Sequence, residues 1–186
     1  TDNGKPAPGN PFGSGTHRLV HPSAQGKSFN NLVYSYGHRN PQGITWDHDN
    51  RLWETEHGST ATDEINLIET GKNYGWPEIR GDRERQGMEN PILHSGSDTW
   101  APGGAAYLNG SIFFAGLRGQ ALYEVPLDAH QLELKEHFKG EFGRIREVVV
   151  GPDNMLYITT SNRDGRGKPD ANDDRIIRVN PLLLSF

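Results

Sequence analysis

The feature that most constrains this fold is a unit that recurs along the chain. The stretch from Gly43 to Gly58 (GITWDHDNRLWETEHG) is echoed from Glu147 to Asn162 (EVVVGPDNMLYITTSN), and each copy reads as strand, tight turn, strand. A looser copy runs from Gly104 to Gly119; its turn residue Asn109 follows Asn50 by 59 residues and precedes Asn154 by 45. After each hairpin, apolar and polar residues alternate again, over Glu64–Ile68, Ala121–Val125 and Arg175–Val179. These segments are expected as the outer strands of four-stranded units, which predicts an all-β chain built as blades of a β-propeller. A β-sandwich of hairpins is the alternative.

Three copies fall short of the minimum of about four blades in a closed propeller. The chain is therefore expected to be a single partial propeller domain over residues 1–186. A loop-rich lead-in would occupy 1–30, with blade units around 31–80, 100–128 and 144–180. An open stack leaves unpaired faces, so association with a missing N-terminal half or with a second copy is expected.

Composition narrows the partners. With 19 Lys and Arg against 24 Asp and Glu, the chain is mildly acidic, which gives nucleic acid or an anionic membrane surface no electrostatic hold. No apolar run approaches the roughly 20 residues of a membrane span. The absence of cysteine excludes disulfides and thiolate metal sites without fixing the compartment. No glycine-rich dinucleotide fingerprint or nucleophile elbow occurs.

Three motifs stand out. They are Tyr36 to Gly43 (YGHRNPQG), Thr55 to Gly58 (TEHG), and Asp63 to Pro77 (DEINLIETGKNYGWP). Together with Trp100–Gly104, Phe114–Arg118 and Gly143–Glu147, they make the chain resemble the soluble PQQ-dependent glucose and aldose sugar dehydrogenases, the glucose/sorbosone dehydrogenase family. The likeness covers nearly the whole chain and is weakest over residues 1–30. It implies a six-bladed propeller in the complete protein, with pyrroloquinoline quinone (PQQ) at the top of the central channel.

PQQ is a flat trianionic quinone, so its seat needs fixed cations and donors. The resemblance assigns Arg39 and Asn40 to the reactive carbonyls, and Arg144 and Arg146 to the carboxylates. The latter two stand two apart on one strand and so share a face. Arg118 stands where the family usually has lysine, keeping the charge but changing its shape. His57 and Thr99 align with further cofactor contacts. The backbone carbonyls of Gly58 and Ser59 match the pair that holds calcium, and serine in place of the usual proline should not matter to a carbonyl ligand.

Asp63 and Glu64 are read as turn caps or partners of a basic residue. Asp170, Asn172, Asp173 and Asp174 lack the spacing of a calcium loop and read as a solvated loop. Tyr74, Trp76 and Pro77 are expected to pack blade against blade, and His38 to order the Arg39–Asn40 loop.

The resemblance implies PQQ- and calcium-dependent oxidation of an aldose to its lactone, with electrons leaving to an external acceptor, in a periplasmic or extracellular setting. The family's catalytic base is a histidine from an earlier blade. None of the eight histidines here (His17, His21, His38, His48, His57, His94, His130, His137) lies in that motif. The base is therefore expected upstream of Thr1, no residue of the chain is assigned a catalytic role, and the chain by itself is expected to be inactive. A non-catalytic binding propeller is the competing reading, and it has no need for Arg39, Asn40, Arg144 and Arg146 together.

Overall fold

The computed structural model describes residues 33–128 and 132–184. Thr1 and the rest of the expected lead-in over 1–30 lie outside the described residues, as do His17, His21 and His130. The expectation of a base upstream of Thr1 likewise falls outside them. The described strands form three antiparallel sheets, each a simple meander. The first contains β1 (Pro41–Trp46), β2 (Leu52–Glu56), β3 (Glu64–Ile68) and β4 (Leu93–His94), in that order. The second contains β5 (Pro102–Leu108), β6 (Ser111–Gly116), β7 (Ala121–Pro126) and β8 (Lys135–His137). The third contains β9 (Ile145–Val150), β10 (Leu156–Thr160) and β11 (Ile176–Val179). A short 3-10 turn over Pro181–Leu183 follows. The chain is thus all-β, with the sheet pattern of part of a propeller.

The turns explain why the hairpins form where they do. Asn50, Asn109 and Asn154, at equivalent places in the three copies, all adopt left-handed backbone, with φ of 61°, 50° and 56°. Asparagine tolerates that region better than any other residue but glycine. The β1–β2 and β9–β10 loops share one five-residue geometry. Asp47 N donates to Arg51 O and Asn50 N to Asp47 O in the first, Gly151 N to Met155 O and Asn154 N to Gly151 O in the second. The β5–β6 turn is the two-residue Asn109-Gly110 type with both φ positive, which is why that copy looks looser in sequence.

One expectation needs correction. The strands β3 and β7 are not the outermost of their sheets, because the short strands β4 and β8 pair along their far edges. Strands of two or three residues leave too little alternation to be read from sequence.

The sheets stack through their first strands, with β5 packed between β1 and β9. Close approach is achieved by glycine. A Cβ on Gly43 would lie 2.7 Å from the Ala105 amide and the Gly103 carbonyl, and one on Gly103 would lie 2.0 Å from the Arg146 carbonyl. Side chains then stitch across: Thr55 Oγ1 donates to Gly103 O at 3.1 Å, and Tyr107 N donates to Thr45 Oγ1 at 2.9 Å. Apolar clusters fill both junctions. Trp53, Ile65, Trp100, Phe114 and Tyr123 lie between the first two sheets, and Phe113, Leu122, Ile145, Val148 and Ile158 between the last two.

Candidate cofactor site

In these meanders β1, β3, β5, β7 and β9 begin, and β2, β6 and β10 end, at one edge of the stack, so their loops gather there. Between the loops lies an open cavity of about 770 Å³. Its wall includes Arg39 and Asn40 from the chain entering β1, and His57, Gly58 and Ser59 from the β2–β3 loop. Thr99 ahead of β5, Arg118 after β6 and Arg144 at the head of β9 complete the part expected from sequence. Arg146 does not line the cavity. It stands one step out, exposed, and its Nη2 donates to Asp164 Oδ2 at 3.2 Å.

Sequence reasoning missed two members of this site. Asp164, from the β10–β11 loop, accepts from both Arg144 Nη2 at 2.9 Å and Arg146 Nη2 at 3.2 Å, so one carboxylate gathers the two arginines. The Arg166 amide and the Arg144 guanidinium hold its carboxyl below the ordinary aspartate range. Arg166 itself contributes a fourth guanidinium to the cavity wall. Neither residue belongs to a motif; they sit in a turn-rich loop whose reach depends on the fold.

The cationic groups are held at different depths. Arg144 is buried and also donates Nη1 to Leu117 O at 3.3 Å, whereas Arg118 is exposed. Arg39 donates Nη1 to His57 O at 3.0 Å and lies over the Trp76 ring, 5.4 Å from its centroid. The only carboxyl among the described lining residues is Asp63. Its two oxygens are taken up by the Gly58 amide at 2.8 Å and the Ala101 amide at 2.7 Å. It thus caps the β2–β3 loop, as expected, and with Asp164 offsets part of the charge of the four guanidinium groups on the cavity wall, which stays cationic on balance. Glu64 caps similarly, accepting from Gly81 N at 3.0 Å, and burial raises its carboxyl pKa.

The carbonyl pair sits in a tightly turned loop. A Cβ on Gly58 would meet the Ala61 carbonyl at 1.8 Å, so only glycine fits. No described backbone donor bonds to the carbonyls of Gly58 or Ser59. His57 Nε2 donates to Pro102 O at 2.7 Å and Thr99 Oγ1 to Thr60 O at 3.0 Å, each joining two loops of the site.

Tyr74 stacks on His38 with centroids 4.7 Å apart, and Trp76 lies under Arg39. These rings back the loop that carries Arg39 and Asn40. One further expectation is corrected. Asp173 is not solvated, its side chain being 2% exposed and accepting from Arg175 Nε at 2.9 Å and Asn162 Nδ2 at 2.9 Å.

A cationic cavity of this kind is compatible with many anions, and comparison with known proteins narrows the choice. The model of a family described as Glucose / Sorbosone dehydrogenase matches residues 1–178. The aldose sugar dehydrogenase YliI of Escherichia coli is 31% identical over 157 residues, covering 72% of this chain and 42% of that protein. Among solved structures, the PQQ-bound form of aldose sugar dehydrogenase from Streptomyces coelicolor superposes with a TM-score of 0.79 at 41% identity, covering 96% of this chain and 49% of that one. An oxidoreductase described as a glucose dehydrogenase, from Thermus thermophilus, gives 0.82 at 40% identity, covering 96% and 53%. The chain thus spans about half the length, or less, of these relatives.

Proposed function

This chain belongs to the glucose/sorbosone dehydrogenase family, and from that premise we propose that it forms the cofactor-holding part of a PQQ- and calcium-dependent enzyme that oxidises aldose sugars to lactones. The observation that carries the reading is the cavity wall: four guanidinium groups, from Arg39, Arg118, Arg144 and Arg166, face one space whose sole described lining carboxyl is already engaged with backbone amides. Such a donor set suits a flat polyanion.

When bound, PQQ and its calcium would supply a polarised two-electron acceptor for the oxidation of the sugar. The residues of this chain bind and orient. Arg144 would pair with cofactor carboxylates, with Arg146 held behind it through Asp164, and Arg118 would supply a further cation. Arg39 and Asn40 would direct donors at the quinone oxygens, with His57 and Thr99 flanking. The Gly58 and Ser59 carbonyls would hold the calcium, as hard oxygen ligands.

In this reading the base that takes the proton of the sugar hydroxyl belongs to the part of the relatives' length that this chain does not span, so the chain alone binds cofactor without turning over sugar. Electrons leave to an external acceptor, and the setting is periplasmic or extracellular. No helix among the described residues is long and apolar enough to cross a membrane.

The test is a titration of the chain with PQQ in the presence and absence of calcium, followed by the absorbance of the quinone. Saturable, calcium-dependent binding without sugar-driven dye reduction is expected. An unchanged spectrum at every PQQ concentration overturns the proposal.

A further inference from the structure

Beneath the Arg39–Asn40 loop lies a buried polar group that the cofactor reading does not use. Glu54 and Glu56 alternate onto one face of β2, and Asn66 and Glu64 stand opposite them on β3. All four are buried. His38 Nδ1 lies 3.4 Å from Glu56 Oε1, and the ligand atoms of His38, Glu54 and Glu56 fall within 4.8 Å of one another. That spacing would suit a metal ion, but the gap is filled: Asn66 Nδ2 donates to Glu54 Oε2 at 3.1 Å and to Glu56 Oε1 at 3.2 Å. A cation bridging those oxygens would collide with the amide nitrogen.

What the cluster does instead is visible in the other oxygen of Glu56. Its Oε2 accepts from the Arg39 amide at 2.7 Å and from the Asn40 amide at 3.1 Å. The strand end that carries Glu56 runs directly into His57 and Gly58, and two more bonds close the same bracket. His57 N donates to Asn40 O at 3.2 Å, and Arg39 Nη1 donates to His57 O at 3.0 Å. From this geometry we infer that Glu56 is a positioning residue, which sets the arginine–asparagine pair in register with the carbonyl pair. His38 and Asn66 hold its first oxygen so that the second points at the loop. Ser35 Oγ, 2.8 Å from His38 Nε2, and the Tyr74 ring fix the imidazole in turn.

The inference rests on the proposed cofactor reading for its consequence, but not for its geometry. Both halves of the seat must be correctly spaced to grip one rigid ligand, and misplacement by about 1 Å is enough to lose much of its binding. Glu56→Gln keeps the size of the side chain and one acceptor, yet turns an amide donor toward Asn66 or the loop. Glu54→Gln, on the same face, keeps the Asn66 bond and serves as the control.

The experiment uses the full chain. Amide hydrogen exchange at Arg39 and Asn40 and the PQQ dissociation constant in saturating calcium are measured for both variants, alongside thermal unfolding. The expected result for Glu56→Gln is faster exchange at these two amides and PQQ binding weakened about tenfold or more, the loss of roughly one charge-assisted contact. Glu54→Gln is expected to leave both unchanged. A Glu56→Gln chain that melts earlier but keeps wild-type amide protection and PQQ affinity overturns the positioning role. Failure of the wild-type chain to take up PQQ overturns the proposed function instead, and the exchange rates still decide the setting of the loop.

Discussion

Arg144 is the most enclosed cation of the cavity, and its fork is spent in three directions: Asp164, Leu117 O and the cavity. A lysine keeps the charge but cannot reproduce the planar fork. Arg144→Lys is therefore expected to weaken PQQ binding about tenfold by absorbance titration; unchanged affinity would mean that charge alone suffices there. Glu54 makes a prediction of a different kind. Burial, and then the neighbouring Glu56, push its carboxyl pKa well above the ordinary glutamate value. The folded chain therefore holds that proton more tightly than the unfolded chain does. Its contribution to stability is complete below the ordinary glutamate range and is lost as pH rises toward the raised value. Glu54→Gln removes this dependence. Its melting temperature should exceed that of the wild type near pH 8 and converge with it near pH 4, each pKa unit being worth ~1.4 kcal/mol, or about 2–4 °C in a chain of this size. Parallel pH profiles would count against it.

The hairpin is the element on which the fold depends, and glycine serves it in two distinct ways. Gly110 has φ of 85° and open space around its α-carbon, so only the backbone objects to a side chain there. Gly110→Ala is expected to cost about 1 kcal/mol in denaturant unfolding. Gly103→Ala should cost several times more, ~3 kcal/mol or above, because its Cβ would press on a neighbouring sheet's carbonyl, which cannot step aside. Equal costs would show that the junction of β5 and β9 yields more readily than its close contacts imply. These elements also show what is readable in a sequence. Asn50, Asn109 and Asn154 announce their turns because the preference for left-handed backbone is local. Arg39, Arg144 and the Gly58 loop were readable because they sit in contiguous motifs. The strands β4 and β8 were not, since two or three residues carry no period, nor was Asp164, whose function depends on a loop folding back over 18 residues to Arg146. The contacts of Tyr74 with His38 and of Trp76 with Arg39 were not readable either, because large rings signal burial without saying against what.

At the scale of the molecule, the described sheets present apolar side chains on their outer surfaces. Ile44 and Trp46 project from β1 at 57% and 55% exposure, away from the second sheet, and Ile176 on β11 is 76% exposed. Apolar side chains so placed favour association. The chain studied alone should scatter light as a dimer or larger species, and Trp46→Glu with Ile176→Lys should shift it toward monomer; a monomer from the outset would show that these faces tolerate water. The cavity, meanwhile, draws its walls from all three sheets, with His57 of the first bonded to Pro102 of the second and Arg144 of the third reaching Leu117 of the second. Whatever fills it acts as a keystone. An anion seated there would fasten three arches at their crown, so that they come apart together rather than one after another.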